Sequence, residues 1–492
     1  MTRGKLAVIC TVVVLVSSLC GAQDINWTGA VTVDAPVRVT GGTLTIAPGT
    51  VVTFSKGGVI NLVRGAGISA AGTAAKPIRF VGEDVGQVRG SGCHGVFEHV
   101  EVTGVGVADH HKRRWWLSVS TGKGGITVRN CTIANAGGVT VALGAGPFEM
   151  TGCDLRGSVE GILVGGKQKA LIASNTLASG RIHVSTGIDA TVRGNVLIRG
   201  TLSGWQTASL LVEKNYIHRP APKGSYGLLR TRGLIRNNVV RGGSWVSSQI
   251  GGEITANVFI SLPHEEARKK EGGFNRHGTH EHICGLTPNS TVVRNIFVGG
   301  SYGAVMGIGR GTCSDSVIRN NTFDMRRGGK AIYLNHLPKT NPKNIVIRNN
   351  IFMRSGTALD EKGIPDSVKE IDYNLWSACG LNRRYGRFHK ITITGKKEGD
   401  PGFGGNDVPP YSARKALDPV DVVVSPDVEF PFTDADMLAR KHTVDEILEH
   451  YRKAYTPKPG SAAINAGSPA DKDDPDVKDG KPDIGAIEFA HK

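Results

Sequence analysis

Three histidines fall within six residues of the segment NRHGTHEHICG: His277, His280 and His282, with Asn275, Arg276 and Glu281 among them. Imidazole moves protons near neutral pH, and a guanidinium pairs with a carboxylate through a planar fork. Related side chains recur on either side: His183 in RIHVST, Trp205 and Gln206 in LSGWQT, Arg230 and Arg232 in YGLLRTRG, Trp245 and Gln249 in GSWVSSQ, Arg310 in GAVMGIGRG, and Tyr333, His336 and Lys339 in AIYLNHLPK. Aromatic rings of this kind stack on sugar faces. The set suits β-elimination from a uronate. A base takes the proton beside the carboxylate, an acid serves the leaving oxygen, and a cation or Ca²⁺ neutralises the charge that develops. Arg230, Arg232, His280 and His282 are the candidates for those roles. His183, Trp205, Trp245, Gln249, Arg276, His277, Arg310 and His336 are the candidates for holding the polymer.

Hydrolysis of a glycosidic bond needs a pair of carboxylic acids instead. Carboxylates are scarce here: Glu265, Glu266, Glu271 and Glu281 share one charged stretch, with Asp315 and Asp324 nearby. A His-X-His pair can ligate a metal, but loop histidines without that role are commoner, so no metal site is assigned and Ca²⁺ stays the one cofactor the chemistry admits. The run Asp471, Asp473, Asp474, Asp476, Asp479 and Asp483 lacks the order of a calcium loop and reads as a solvated acidic turn.

The elements that must position these groups are announced by a repeat. Near-copies of one phrase, of which VIRNNTF, IVIRNNIF, GLIRNNVV and VVRNIF are the clearest, place a polar residue at Cys131, Cys153, Asn175, Asn195, Asn215, Asn238, Asn257, Asn295, Asn321, Asn350 and Asn374. The steps between them are 22, 22, 20, 20, 23, 19, 38, 26, 29 and 24 residues. A period in the low twenties, with apolar and polar residues alternating in strand fashion, describes a solenoid whose coils bury their apolar faces against one another. The recurrent Asn is expected at a tight left-handed corner, its side chain bonding from rung to rung. The 38-residue step holds the His-rich segment, and solenoid insertions emerge as loops on one face. Two basic rows accompany the ladder: Arg129, Arg193, Arg236, Arg319 and Arg348 two residues before it, and Arg199, Arg219, Arg241, Arg326 and Arg354 after it. Stacked like charges repel, so either a polyanion lies along them or they splay into water.

This pattern resembles the right-handed parallel β-helix proteins of the pectate-lyase-like superfold. The resemblance covers roughly residues 90–380 and implies an all-β fold, with short opening coils before it and an irregular cap after it. It also implies an active cleft on the strand that follows each long turn, where lyases on this fold use Lys, Arg or His. The carboxylate-rich calcium pattern of classical pectate lyases and the paired Asp of polygalacturonases are not recognisable.

The domains expected are a signal peptide at 1–22, an N-terminal cap and first coils at 23–90, the parallel β-helix at 91–380, and a C-terminal extension and cap at 381–492. Arg3 and Lys5 followed by an apolar run and small residues at Cys20, Gly21 and Ala22 give the signal, and the product is expected to be secreted or periplasmic and monomeric. No later segment is apolar enough to span a membrane. The net charge is +16, or +14 once the signal is removed. In an exported protein that favours an acidic polysaccharide as partner over nucleic acid. Cys284 with Cys313 is the expected disulfide, tying the inserted loop to the following coil; Cys131 and Cys153, one coil apart, could bridge or simply stack. The function expected is a polysaccharide lyase. The alternatives are a non-catalytic surface β-helix that binds glycans or proteins, and a glycoside hydrolase.

Overall fold

The structure is a computed structural model that describes residues 24–108, 114–157, 161–205, 207–219, 228–229, 232–242, 251–261, 281–284, 286–299, 303–308, 313–325, 330–335, 343–353, 357–362, 368–377, 430–457, 459, 461, 463–475, 477 and 481–488. The expected signal peptide lies outside them, as does most of the 38-residue step. The chain forms two compact units, Met1–Asn195 with Gln206–Ser209, and Val196–Trp205 with Leu210–Lys492.

In the first unit each coil has three strands. One mature coil runs Gly138–Leu143, Phe148–Thr151 and Asp154–Arg156, and the next runs Gly161–Gly166, Lys169–Ala173 and Thr176–Leu177. Like strands pair in parallel, coil on coil, with Val139 opposite Ile162, Phe148 opposite Ala170 and Asp154 opposite Thr176. The N-terminal segment makes the same turns, since Val37 pairs with Ile60 and Ile60 with Val88. Alternation explains the choice of strand: in Phe148–Thr151 the first and third residues are buried and the others half-buried, as a sheet with one face on the core requires.

The second unit repeats the plan. Its third strands, Tyr216–His218, Val258–Ile260, Ile296–Val298 and Ile351–Met353 among them, are buried at every position. Inward, Phe259, Phe297, Phe323 and Phe352 stack with centroids 5.0, 4.8 and 5.0 Å apart. Outward, the third strands are covered by helix α1 (Asp434–Leu438) and helix α2 (Val444–Ala454), whose Met437, Val444, Ile447, Leu448 and Tyr451 pack on Tyr216, Val239, Val258 and Ile296. The segment 433–455 is two helices with a break between them. The break has a local cause, because Arg440 takes φ 56° and Thr443 opens α2 with a capping box to Glu446. The terminal segment also reaches beyond the last coil, lying along the third strands, with Ile484 and Ala486 in that same apolar cluster.

The ladder bears out its rung-to-rung role but corrects the corner. Asn257 donates from both its backbone N and its Nδ2 to Asn295 Oδ1, at 3.0 and 2.9 Å, and Asn295 does the same to Asn321 at 2.9 and 3.0 Å. The left-handed residue is instead the one before each rung: Ser174, Lys214, Asn237, Ala256, Arg294, Asn320 and Asn349 all have φ of 50–56°. The first Asn of each RNN therefore turns the chain and the second bonds the coils, a division that single copies such as RNIF obscure.

Candidate functional site

The strands expected to carry the cleft correspond to the first strand of each coil. In the first unit His183 sits mid-strand in Gly180–Ser185, half-buried and in register with Leu163. In the second unit Trp205 ends the first strand Gly200–Trp205, half-buried, whereas Arg232, exposed, opens Arg232–Arg236, a second strand in register with Ser209–Glu213 (Leu234 opposite Leu211), so it does not share the face expected for it. His282 lies in the strand Glu281–Cys284, between the register pairs Glu281 with Gly303 and Ile283 with Val305. Arg230, Trp245, Gln249, Arg276, His277, His280, Arg310 and His336 lie outside the described residues.

Two expectations for this face are corrected. Tyr333 was read as a sugar-stacking residue of an open cleft, but Ala331, Ile332, Tyr333 and Leu334 are all buried, as are Ala304, Val305, Ala358 and Leu359 on the neighbouring coils. A continuous apolar run such as AIYL belongs to a strand covered on both faces, not to a groove; Lys330 Nζ lies 4.0 Å over the Tyr333 ring. Cys313 is a buried free thiol, pushed up to about 11 by burial, so the expected bridge to Cys284 is not formed; the side chain of Cys284 lies outside the described residues. Cys131 and Cys153 are also free, and stack.

The arginine row before the ladder has a different purpose from the one its spacing suggested. In the second unit Arg348 makes a fork to Asp471, 2.7 Å from Nη2 to Oδ1 and 2.9 Å from Nε to Oδ2. Arg319 donates to Asp474 Oδ2 at 2.6 Å, and Arg294 to Asp474 Oδ1. Asn349 Nδ2 adds a bond of 2.7 Å to Asp471. Both Asp side chains are 5% exposed. The acidic run is therefore no solvated turn; Asp471 and Asp474 interleave with the stacked guanidinium groups, and each sign removes the repulsion within the other. Arg236 likewise pairs with Glu213 at 2.8 Å, and in the first unit Arg129 with Glu149 at 3.0 Å. The row is a structural clasp over much of its length, and the signal for it was in the sequence: a basic repeat and one acidic run in the same chain.

A second polar cluster fixes α1. Asp434 Oδ1 accepts from Tyr216 Oη at 3.2 Å and lies 2.6 Å from His218 Nδ1 and 3.8 Å from Arg241, whose guanidinium sits 4.2 Å over the Phe430 ring. Burial raises the Asp434 carboxyl, but the His218 bond, the His218 charge and Arg241 outweigh it and hold the group below its ordinary value. That contribution to stability is present above the unfolded pKa and is lost as pH falls.

Glu488 behaves oppositely. Burial, then the Asp483 charge, raises it from 4.5 to about 7. Its contribution is present below pH 4.5 and is lost as pH rises through about 7. Glu488→Gln is expected to stabilise the protein at pH 8 by about 1 kcal/mol after allowance for solvent screening, and to change nothing at pH 4. Denaturant midpoints at the two pH values check this, and an equal shift at both excludes the titration as its cause.

A groove opens on the outer face of the second strands of the first unit, with a volume of about 480 Å³. Glu149, Lys169, Asp189 and Arg193 bring charge to it, Thr127 and Thr191 hydroxyls, and Leu171 and Pro147 an apolar floor. Of these the sequence reading singled out only Arg193. Glu149, Lys169 and Asp189 occupy the outward positions of FEMT, KALIA and DATVR, a signal that strand alternation alone carries.

With strands stacked in parallel by threes and an asparagine ladder at the corner, the chain is a right-handed parallel β-helix protein. No protein-family model matches it, and no curated protein does. Among solved structures it is similar to the periplasmic alginate epimerase AlgG, at 11% identity and a TM-score of 0.26 over 74% of this chain and 76% of that one. It is similar also to pectate lyase Pel9A, at 12% and 0.26 over 90% and 88%, and to the PL6 family alginate lyase AlyGC, at 14% and 0.27 over 72% and 53%. These are likenesses of fold. No helix among the described residues is long and apolar enough to cross a membrane.

Proposed function

We propose that this protein is an exported enzyme that cleaves an acidic polysaccharide by β-elimination on the first-strand side of the second unit. One observation supports the reading: first strands of the second unit contain or border four of the sequence candidates. Gly200–Trp205 ends on Trp205, Leu228–Leu229 ends one residue before Arg230, His282 lies in Glu281–Cys284, and Lys330–Asn335 ends one residue before His336. Leu202 pairs with Leu228, Cys284 with Met306, and Met306 with Tyr333, so these strand ends belong to stacked coils. Histidine supplies the acid and base, arginine neutralises the uronate carboxylate, and Ca²⁺ can share that neutralisation. The net charge of +16 supports a polyanionic substrate.

The test is incubation with pectate, alginate and other uronate polymers, with and without Ca²⁺, while the absorbance of unsaturated product is followed. The His280→Ala/His282→Ala variant is expected to keep glycan affinity and lose about 10²–10⁴-fold in turnover, the range of a general acid or base. Absence of unsaturated product from every polymer overturns elimination; saturated reducing ends in its place would assign a hydrolase. The free thiol of Cys313, the clasped arginines and the closed Ala331–Leu334 strand also suit a non-catalytic binding module, which would bind these polymers and release nothing.

A further inference from the structure

The groove on the second strands of the first unit is built from other strands than those invoked above, and its chemistry calls for a ligand of its own. Lys169 and Asp189 face each other on adjacent coils, Leu171 and Thr191 follow, and Arg193 closes the row opposite Ala173. Lys169, Asp189 and Arg193 are exposed, and among the described residues none of the three has an ion pair or a hydrogen bond to another side chain. That distinguishes them from Glu149, which Arg129 engages at 3.0 Å, and from Arg319 and Arg348, which the acidic run neutralises. Arg193 holds the same place relative to its ladder Asn as Arg319 and Arg348 do to theirs. The second unit thus displays how that position is used when filled: it grips a carboxylate.

We infer that this groove is a separate binding site for an oligosaccharide bearing uronate carboxylates. Lys169 and Arg193 stand four residues apart along the strands, about 13 Å at ~3.3 Å per residue, which suits two carboxylates on one oligomer better than a single small anion. Thr127 and Thr191 can donate to or accept from sugar hydroxyl groups, the carboxylates of Asp189 and Glu149 accept from them, and Leu171 with Pro147 offers an apolar surface for the less polar faces of the sugar rings. The mixture of signs excludes the simpler partners. A dense polyanion without hydroxyl groups would be repelled by Asp189 and Glu149, and a basic peptide by Lys169 and Arg193. A second site on the same polymer raises avidity without any new contact at the first.

The inference rests on the reading of the substrate as an acidic polysaccharide, and the experiment separates the two. The full-length chain is titrated calorimetrically at low salt with hexamers of galacturonate and of guluronate, with maltohexaose as the uncharged control. Lys169→Gln/Arg193→Gln is expected to weaken binding of a uronate hexamer about a hundredfold, roughly tenfold for each of the two charge-assisted bonds lost. It should leave maltohexaose binding and the melting temperature unchanged, since both side chains are exposed. Unaltered uronate affinity in this variant overturns the site, even where the wild type forms unsaturated product. Weakened affinity in a protein that forms no such product leaves the site standing and removes the elimination. A wild type that binds no uronate hexamer overturns both.

Discussion

Asn295→Ala is expected to destabilise the second unit by about 4 kcal/mol, more than any other single truncation considered. Asn295 Oδ1 accepts from the backbone N and the Nδ2 of Asn257, while its own Nδ2 donates to the carbonyls of Ile254 and Val293, at 2.8 and 3.0 Å, and to Asn321 Oδ1. Asn257 and Asn295 are both essentially inaccessible to water. Removing the side chain leaves the buried backbone N of Asn257 without its acceptor, although Asn257 Nδ2 keeps the carbonyls of Ile235 and Thr255, and it takes the Nδ2 donor from the carbonyls of Ile254 and Val293; a buried unsatisfied group costs about 1–3 kcal/mol and each lost bond about 1 kcal/mol. The same substitution at Asn374, which accepts from Asn350 but is 7% exposed, should cost less. Denaturant midpoints rank the two, and amide exchange localises the effect, with Asn257 N losing protection first. Equal losses at the two positions would show that the rungs do not act through burial.

The second large effect belongs to the acidic clasp. Asp471→Ala removes both carboxylate oxygens from Arg348 and the acceptor from Asn349 Nδ2, and takes away the charge 3.8 Å from Arg319. Arg319 and Arg348, directly opposite each other in register, then keep Asp474 and Glu370 as their carboxylate partners among the described residues. Breaking one side of a buried ion pair costs about 3–5 kcal/mol, because the remaining charge stays desolvated. Arg348 is 19% exposed, so the lower end applies, about 3 kcal/mol. Asp471→Ala should also free the terminal segment from the third strands, so limited proteolysis near residue 470 is expected to become faster. Asp473→Ala, at a position without an ion pair among the described residues, is the control. A clasp that contributed nothing would leave the two variants alike.

Which parts of this were legible beforehand follows from the range over which each pattern acts. The ladder could be read directly, because a bond between Asn257 and Asn295 requires only that the same residue recur once per coil. The division of labour within RNN was not, since backbone sign at Asn237, Asn320 or Asn349 leaves no mark that a second asparagine does not also leave. The arginine row was found but misassigned: its partners, Asp471 and Asp474, stand 123 and 155 residues from Arg348 and Arg319, and no local rule pairs them. Tyr333 failed for a related reason. The alternation that puts it on the outward side of its strand is correct, but outward means exposed only where nothing covers the sheet.

The sequence by itself determined the coil: a period in the low twenties, strand alternation and a buried amide column are local facts repeated, and stacking is the one way such units bury their apolar faces. It also determined the chemical stock available to the first strands. Only the tertiary structure decided which charges remain available, because availability depends on what the rest of the chain lays over each face. The run after Ser468 took the arginines of the second unit, helices α1 and α2 covered its third strands, and in the first unit Lys169, Asp189 and Arg193 were left open beside a groove. Repetition sets the register of a solenoid, whereas contacts made by segments outside the repeat set its surface.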